Sequence, residues 1–270
     1  MELRALVVDG VFNWGFSVRA VYTSAASRPY PLPPPTTLVG ALAAAYARIK
    51  GLSEVTIKNE ILYSRAVELI NKVLWATMKI YSYAAMYSDM GRLVRTHYLR
   101  DEYRRDPKRW FGVSSVGKVY TSSAFRILYI LRGANDLPYD VLGRSITSLG
   151  SKEGLVHIRN SRIARAVVTN KKYDVETPYY TLRRLVENYD IGTGIIVKMP
   201  PYPPPISYYK VREVVGISEV HEDYLMPYME GQIVTGRPID IYEVSDDASV
   251  IEVSVDGEKE YVIIPQLLSG

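Results

Sequence analysis

The chain contains no cysteine. Disulfides, thiol catalysis and cysteine-ligated zinc or iron–sulfur sites are therefore excluded. Glutamine occurs only at Gln232 and Gln266, and histidine only at His97, His157 and His221. Poverty in thermolabile residues is compatible with a hot habitat. No stretch approaches the roughly 18 uncharged apolar residues that a membrane span requires. The first residues read as a strand and show no signal-peptide pattern, so a cytoplasmic location is expected. What the chain does have is tyrosine, 23 of its 270 residues, and an apolar content of 47% that suffices for a sizeable core. That length allows one large domain or a core with an appended part.

Charge is divided unevenly. Residues 1–212 hold 31 Lys/Arg against 16 Asp/Glu, whereas residues 213–270 hold 13 Asp/Glu against Arg237 and Lys259 alone. A basic body with an acidic tail points to a polyanion as partner for the body. The tail would meet a basic neighbour or fold back to limit non-specific binding.

Leu3–Phe12 reads as a buried strand. A loop follows that carries Trp14, Phe16, Arg19, Tyr22, Arg28 and Tyr30, then the run Tyr30-Pro31-Leu32-Pro33-Pro34-Pro35-Thr36-Thr37. Prolines keep that run extended. Thr36 or Thr37 is expected to cap a helix over Leu38–Lys50 that ends near Gly51. From about Asn59 to Met90, the spacing of Ala66, Leu69, Ile70, Val73, Leu74, Thr77 and Ile80 predicts a second helical region. Val116–Thr121 and Phe125–Leu131 read as strands, and Leu137–Leu142 opens a short helix with Pro138 in its first turn. Leu155–Ile158 and Ile163–Val168 read as strands; in one continuous strand His157, Arg159 and Arg165 would share a face, and a turn at Asn160-Ser161 would break that register. Pro200–Pro205 is the expected internal boundary, a rigid polyproline II segment. Beyond it Ile239–Val244, Val250–Val255 and Glu260–Ile264 read as strands, the last two joined at Asp256-Gly257. The expected class is α+β, a ferredoxin-like core with a right-handed crossover.

Three places carry chemistry. The stretch Arg92–Trp110 contains Arg92, Arg95, Arg100, Arg104, Arg105, Lys108 and Arg109 beside His97, Tyr98, Tyr103 and Trp110, with only three acids. Cations bind phosphates and aromatic faces stack on unpaired bases, the pairing that single-stranded RNA requires. A solvated basic helix would have the same composition. The loop Leu149-Gly150-Ser151-Lys152-Glu153-Gly154 offers glycine backbone and one cation to a phosphate. A helix C-cap and turn explain its glycines equally well. The third place holds His157, Arg159, Arg162 and Arg165. Arg19 and Arg28 flank Tyr22 and could also reach RNA. The histidines are far apart in sequence and none has metal-ligand spacing, so no metal, cofactor or catalytic residue is assigned.

The strand, basic-aromatic loop and Pro-Pro-Pro-Thr-Thr helix start resemble the opening of the Cas-five family of CRISPR Cascade subunits. The Leu-Gly-x-Lys-Glu look of the loop at Gly150 is similar to the family's as well. The Tyr-rich, Cys-free composition resembles an archaeal, type I-A-like member. The resemblance implies an RRM/RAMP core over 1–199, with a β-hairpin thumb inserted at about 92–124. An acidic β-rich part over 206–270 would follow. It also implies a non-catalytic subunit that caps the 5′ handle of CRISPR RNA and contacts Cas-seven backbone subunits and the large subunit. RNA contacts would fall to Arg19, Arg28, Arg92, Arg95, His97, Tyr98, Arg100, Arg104, Arg105, Gly150, Lys152 and Arg159. One branch of the family cleaves precursor CRISPR RNA with a Tyr and a Lys-His pair. This chain has no Lys-His dipeptide. The alternatives are a metal-independent endoribonuclease using His97 or His157, and a protein-binding scaffold whose acidic tail is the contact.

Overall fold

A computed structural model of the chain describes residues 3–18, 26–94, 105–107, 111–133, 136–151, 154–210, 221–227, 229–231 and 233–266, with backbone alone at 26–27, 90–94 and 111–116. The described residues are mostly β with few helices. In chain order they begin with β1 (Leu3–Phe12), β2 (Gly15–Phe16), β3 (Ala26–Ser27) and helix α1 (Pro35–Ile49). Next come β4 (Val55–Lys58), β5 (Ile61–Ser64), β6 (Val73–Ile80), β7 (Tyr83–Val94), β8 (Phe111–Tyr120) and β9 (Ala124–Arg132). Helix α2 (Tyr139–Arg144) precedes β10 (Val156–Thr169), β11 (Tyr173–Thr177), β12 (Thr181–Leu182), β13 (Val186–Tyr189) and β14 (Gly194–Met199). The chain continues with β15 (Glu222–Pro227), β16 (Met229–Glu230), β17 (Ile233–Thr235), β18 (Ile239–Val244), β19 (Ala248–Val255) and β20 (Glu258–Pro265).

The central sheet runs β20-β19-β10-β1-β9-β6 and is antiparallel throughout. Strand β1 lacks the usual alternation of buried and exposed residues because both of its faces are covered: Ala5, Leu6, Val7 and Val8 are all buried. Helices α1 and α2 pack against strands of this sheet and against each other. A second sheet, β16-β17-β7-β8-β2 with β3 beside β8, is built on the long β7–β8 hairpin. Smaller sheets β11-β18-β13 and β12-β15-β14 lie near β20.

Helix α1 begins earlier than expected, and neither threonine caps it. Pro34 occupies the N-cap with extended φ and ψ and makes no side-chain cap bond. Its carbonyl accepts from the N–H groups of Thr37 at 2.9 Å and Leu38 at 3.1 Å. Pro35 fills the first helical position, where its missing N–H needs no partner and its φ is already helical. At the other end the N–H of Leu52 reaches the Ala47 carbonyl at 2.8 Å and that of Gly51 the Arg48 carbonyl at 3.2 Å, a Schellman closure.

The expected helix over 59–90 is replaced by strands β5, β6 and β7 with a short turn of 3₁₀ helix at Arg65–Glu68. Strand β6 is buried on both faces, so Val73, Trp75, Ala76, Thr77 and Met78 give no clean period of two. No turn breaks the strand at Asn160-Ser161; the register shifts there by a β-bulge. Asp9 faces Asn160 and Gly10 faces Ile158, leaving Arg159 as the extra residue in one continuous strand. The short helix opened by Leu137–Leu142 runs over Tyr139–Arg144, with Pro138 at its N-cap. The run Pro200–Pro205 does not cross solvent as a linker: Tyr202 within it is buried and donates to the Val73 carbonyl at 2.6 Å.

Buried tyrosines explain part of the tyrosine content. Tyr180 donates to Pro33 O at 2.8 Å, Tyr224 to Pro200 O at 2.9 Å and Tyr129 to Leu38 O at 2.9 Å. Extended proline segments have no internal ladder, and the Tyr180 and Tyr224 hydroxyls satisfy their carbonyls inside the core, while Tyr129 ties to helix α1. Trp75 lies 5.7 Å from the Tyr202 ring and 6.3 Å from that of Tyr224. The hairpin β19–β20 continues the central sheet, with Asp256 and Gly257 both at positive φ (54° and 86°) in its two-residue turn.

Candidate nucleic-acid interface

The hairpin of β7 and β8 is the element that positions most of the candidate interface. Its strands pair from Ala85–Tyr120 to Val94–Phe111 and flank the Arg-rich stretch. Alternation sorts its side chains: Ala84 and Val119 are buried, whereas Tyr83, Tyr87 and Tyr120 are exposed. Lys118 stands opposite Tyr87. Its ammonium pairs with Asp89 at 2.6 Å and lies 5.6 Å from the centre of the Trp14 ring.

Three parts converge at the base of this hairpin. Gly15 and Phe16 of β2 pair with Tyr120 and Val119. Ser17 donates its hydroxyl to the Gly117 carbonyl of β8 at 2.9 Å. Its own carbonyl accepts from the Ser151 N–H at 3.3 Å, which ties in the loop at Gly150. Gly150 has φ +85°, and a Cβ there would fall 2.5 Å from Val18 Cγ2 and 3.0 Å from Ser17 O. Glycine is required at this position for conformation and for space. Arg28 follows β3, which runs parallel to β8 at Ser115 and Val116, and its side chain is exposed.

The other expected contacts distribute as follows. Arg105 is exposed in a turn, and Arg159 is exposed on the bulge of β10, on the central sheet rather than the hairpin. Arg92 lies on β7 with its side chain outside the described residues. Arg19, Arg95, His97, Tyr98, Arg100, Arg104 and Lys152 also lie outside the described residues. Of the basic excursion expected over 92–124, residues 95–104 and 108–110 lie outside the described residues; strands β7 (Tyr83–Val94) and β8 (Phe111–Tyr120) pair on either side of them.

Lys79, Arg126 and Arg162 of the central sheet are committed to carboxylates. Arg126 binds Asp9 at 2.6 Å, Glu260 at 2.8 Å and Asp256 at 3.1 Å. Arg162 binds Asp9 at 2.7 Å and Asp256 at 2.5 Å, and Lys79 binds Glu260 at 2.7 Å. Tyr179 donates to the second Glu260 oxygen. Burial pushes the Asp9 and Glu260 carboxyls up, yet hydrogen bonds from Arg126 and Arg162 on one and from Lys79 and Tyr179 on the other hold both below their ordinary values. Burial pushes the neighbouring Tyr81 hydroxyl up to about 12. Arg162, grouped with Arg159 by sequence, is thus part of an internal lattice. His221 accepts or donates at 3.3 Å to Tyr30, and burial followed by the Lys198 charge lowers its pKa. Among the described residues no group of three His, Asp or Glu side chains is placed to hold a metal ion, and no helix is long and apolar enough to cross a membrane.

Over 186 residues the chain is 36% identical to CRISPR-associated protein Cas5 2 of Saccharolobus solfataricus, a match spanning 66% of this chain and 68% of that protein. The chain belongs to the Cas5 family. A second Cas5 relative from the same organism, named CRISPR system aCascade subunit Cas5 1, is 31% identical over 169 residues, 62% of this chain and 68% of its own. The Cas5 chain also shares its fold with a CRISPR protein from Archaeoglobus fulgidus, with a TM-score of 0.61, 19% identity and coverage of 98% and 100% of the two chains. No protein-family model matches it.

Proposed function

We propose that this chain is a non-catalytic RNA-binding subunit of a type I Cascade complex that caps the 5′ handle of CRISPR RNA. The observation that carries the reading is the β7–β8 hairpin, whose base packs Ala84 and Val119 into the core and shows tyrosines on the other face, and whose strands lead into the Arg-rich stretch. The relative named as an aCascade subunit supports the assembly. We read β1-α1-β6-β9-α2-β10 as a ferredoxin-like core, a reading supported by the spatial order β10-β1-β9-β6, and the hairpin as the thumb. Cas-seven backbone subunits and the large subunit are its protein partners. Phosphate contacts from Arg28, Arg105 and the basic stretch supply most of the affinity, so binding falls steeply with salt.

The test is incubation of the purified chain with 5′-labelled repeat RNA in EDTA at two salt concentrations. Salt-sensitive binding with the RNA intact is expected. A discrete cleavage product that disappears in His97→Ala or His157→Ala would replace this reading with the endoribonuclease one.

A further inference from the structure

We infer that the outward face of the β7–β8 hairpin is a base-stacking platform for unpaired RNA, built from Tyr83, Tyr87 and Tyr120. The inference rests on the RNA-binding reading above and assigns it residues that the Arg-rich stretch does not contain. Relative exposures of 60% for Tyr83, 39% for Tyr87 and 54% for Tyr120 leave all three rings in solvent. Tyr120 faces Ala85, so Tyr83 and Tyr87 are its two diagonal neighbours on the adjoining strand, at the roughly 7–8 Å separation of such pairs. Its lateral neighbours are small: Ala85 on one strand and Gly15 on the other. The Tyr120 ring therefore stands clear of cross-strand side chains.

Three tyrosines on one strand pair exceed the scattered single apolar residues of an ordinary surface. Their setting favours RNA over a protein partner. The residues opposite and between the rings are Ala85, Gly15 and Lys118, with Ile233 of β17 the one exposed aliphatic beside them, and the next segment in sequence, 92–110, holds seven cations against three acids. Rings for bases, with a cation-rich segment next in sequence for phosphates, match the division of labour in single-strand binding.

The decisive experiment measures fluorescence anisotropy of a short labelled mixed-sequence RNA and of an abasic RNA of equal length. The proteins are the native chain and the triple variants Y83T/Y87T/Y120T and Y83F/Y87F/Y120F. Threonine removes the ring and keeps strand propensity. The threonine variant is expected to lose about tenfold in affinity per ring engaged, down to the native chain's level on abasic RNA. Its salt dependence should be unchanged, and the phenylalanine variant should bind as the native chain does. The single Tyr→Thr variants give the same readout should the triple variant fail to fold. Native-like RNA binding by the threonine variants overturns the platform and leaves the RNA-binding reading standing. In that case loss of co-assembly with another subunit reassigns the face to protein contact. Failure of the native chain to bind either RNA at low salt overturns both.

Discussion

In the central sheet, α1 and α2 pack against the strands, and the charges of Asp9, Lys79, Arg126, Arg162, Asp256 and Glu260 are spent on one another. In the hairpin sheet, one face joins the core while the other shows Tyr83, Tyr87 and Tyr120 to solvent. The same residue type serves both. Tyr129, Tyr180, Tyr202 and Tyr224 turn their hydroxyls onto backbone carbonyls inside, whereas the hairpin tyrosines are exposed. The difference separates what holds the molecule together from what is available to a partner. Mutations in the first sheet should cost stability, and mutations on the hairpin face should cost binding.

The largest effect is expected at Glu260. Replacing it with Ala leaves Lys79 and Arg126 short of a buried partner, a loss of about 3–5 kcal/mol by denaturant unfolding. A loss below about 1 kcal/mol would mean that the strand ladder alone holds the C-terminal hairpin. Acid acts on the same lattice more gently, because it neutralises carboxylates without deleting them. Asp9 and Glu260 titrate below their ordinary values of 3.8 and 4.5 in the folded chain, so the unfolded chain takes up protons first. Their contribution is complete above those values and is lost as pH falls through the lower folded ones. Thermal unfolding across that range should show a falling midpoint, and Y83T/Y87T/Y120T should keep the same profile.

Gly150→Ala comes next, at about 1–3 kcal/mol, since it forces a positive φ and a 2.5 Å approach to Val18. A melting temperature equal to that of the native chain would show that the loop rearranges freely around Ser17. The smallest effect is Tyr87→Thr, expected within about 0.5 kcal/mol of native stability. A larger loss would place that ring in the packing and blur the contrast between the two sheets.

How much of this was legible in sequence follows from burial. Strands with one solvent face, such as Ile239–Val244 and Val250–Val255, show their alternation and are found where expected. Strand β6 is enclosed on both faces, and its apolar residues fit helical spacing as well as any other, which is why 59–90 reads as helix. The Gly51 closure was visible, the Pro34 cap was not, because a proline run reads as a barrier to helix rather than its start. At the interface, Gly150 and the basic stretch stand out by composition. Tyr83 and Tyr87 do not, since they fall in the misread segment and meet Tyr120 only through the register of two strands.

Strand β1 is central in its sheet, yet its partners β9 and β10 begin only at Ala124 and Val156. At roughly 5–20 residues per second, translation takes on the order of ten seconds to deliver even the first of them. During that interval an apolar strand emerges with nothing to pair with, apart from whatever shelter the α1 segment gives. The hazard of misassembly in this chain therefore belongs to its birth on the ribosome, and a slow or paused decoding of the first hundred codons would prolong it.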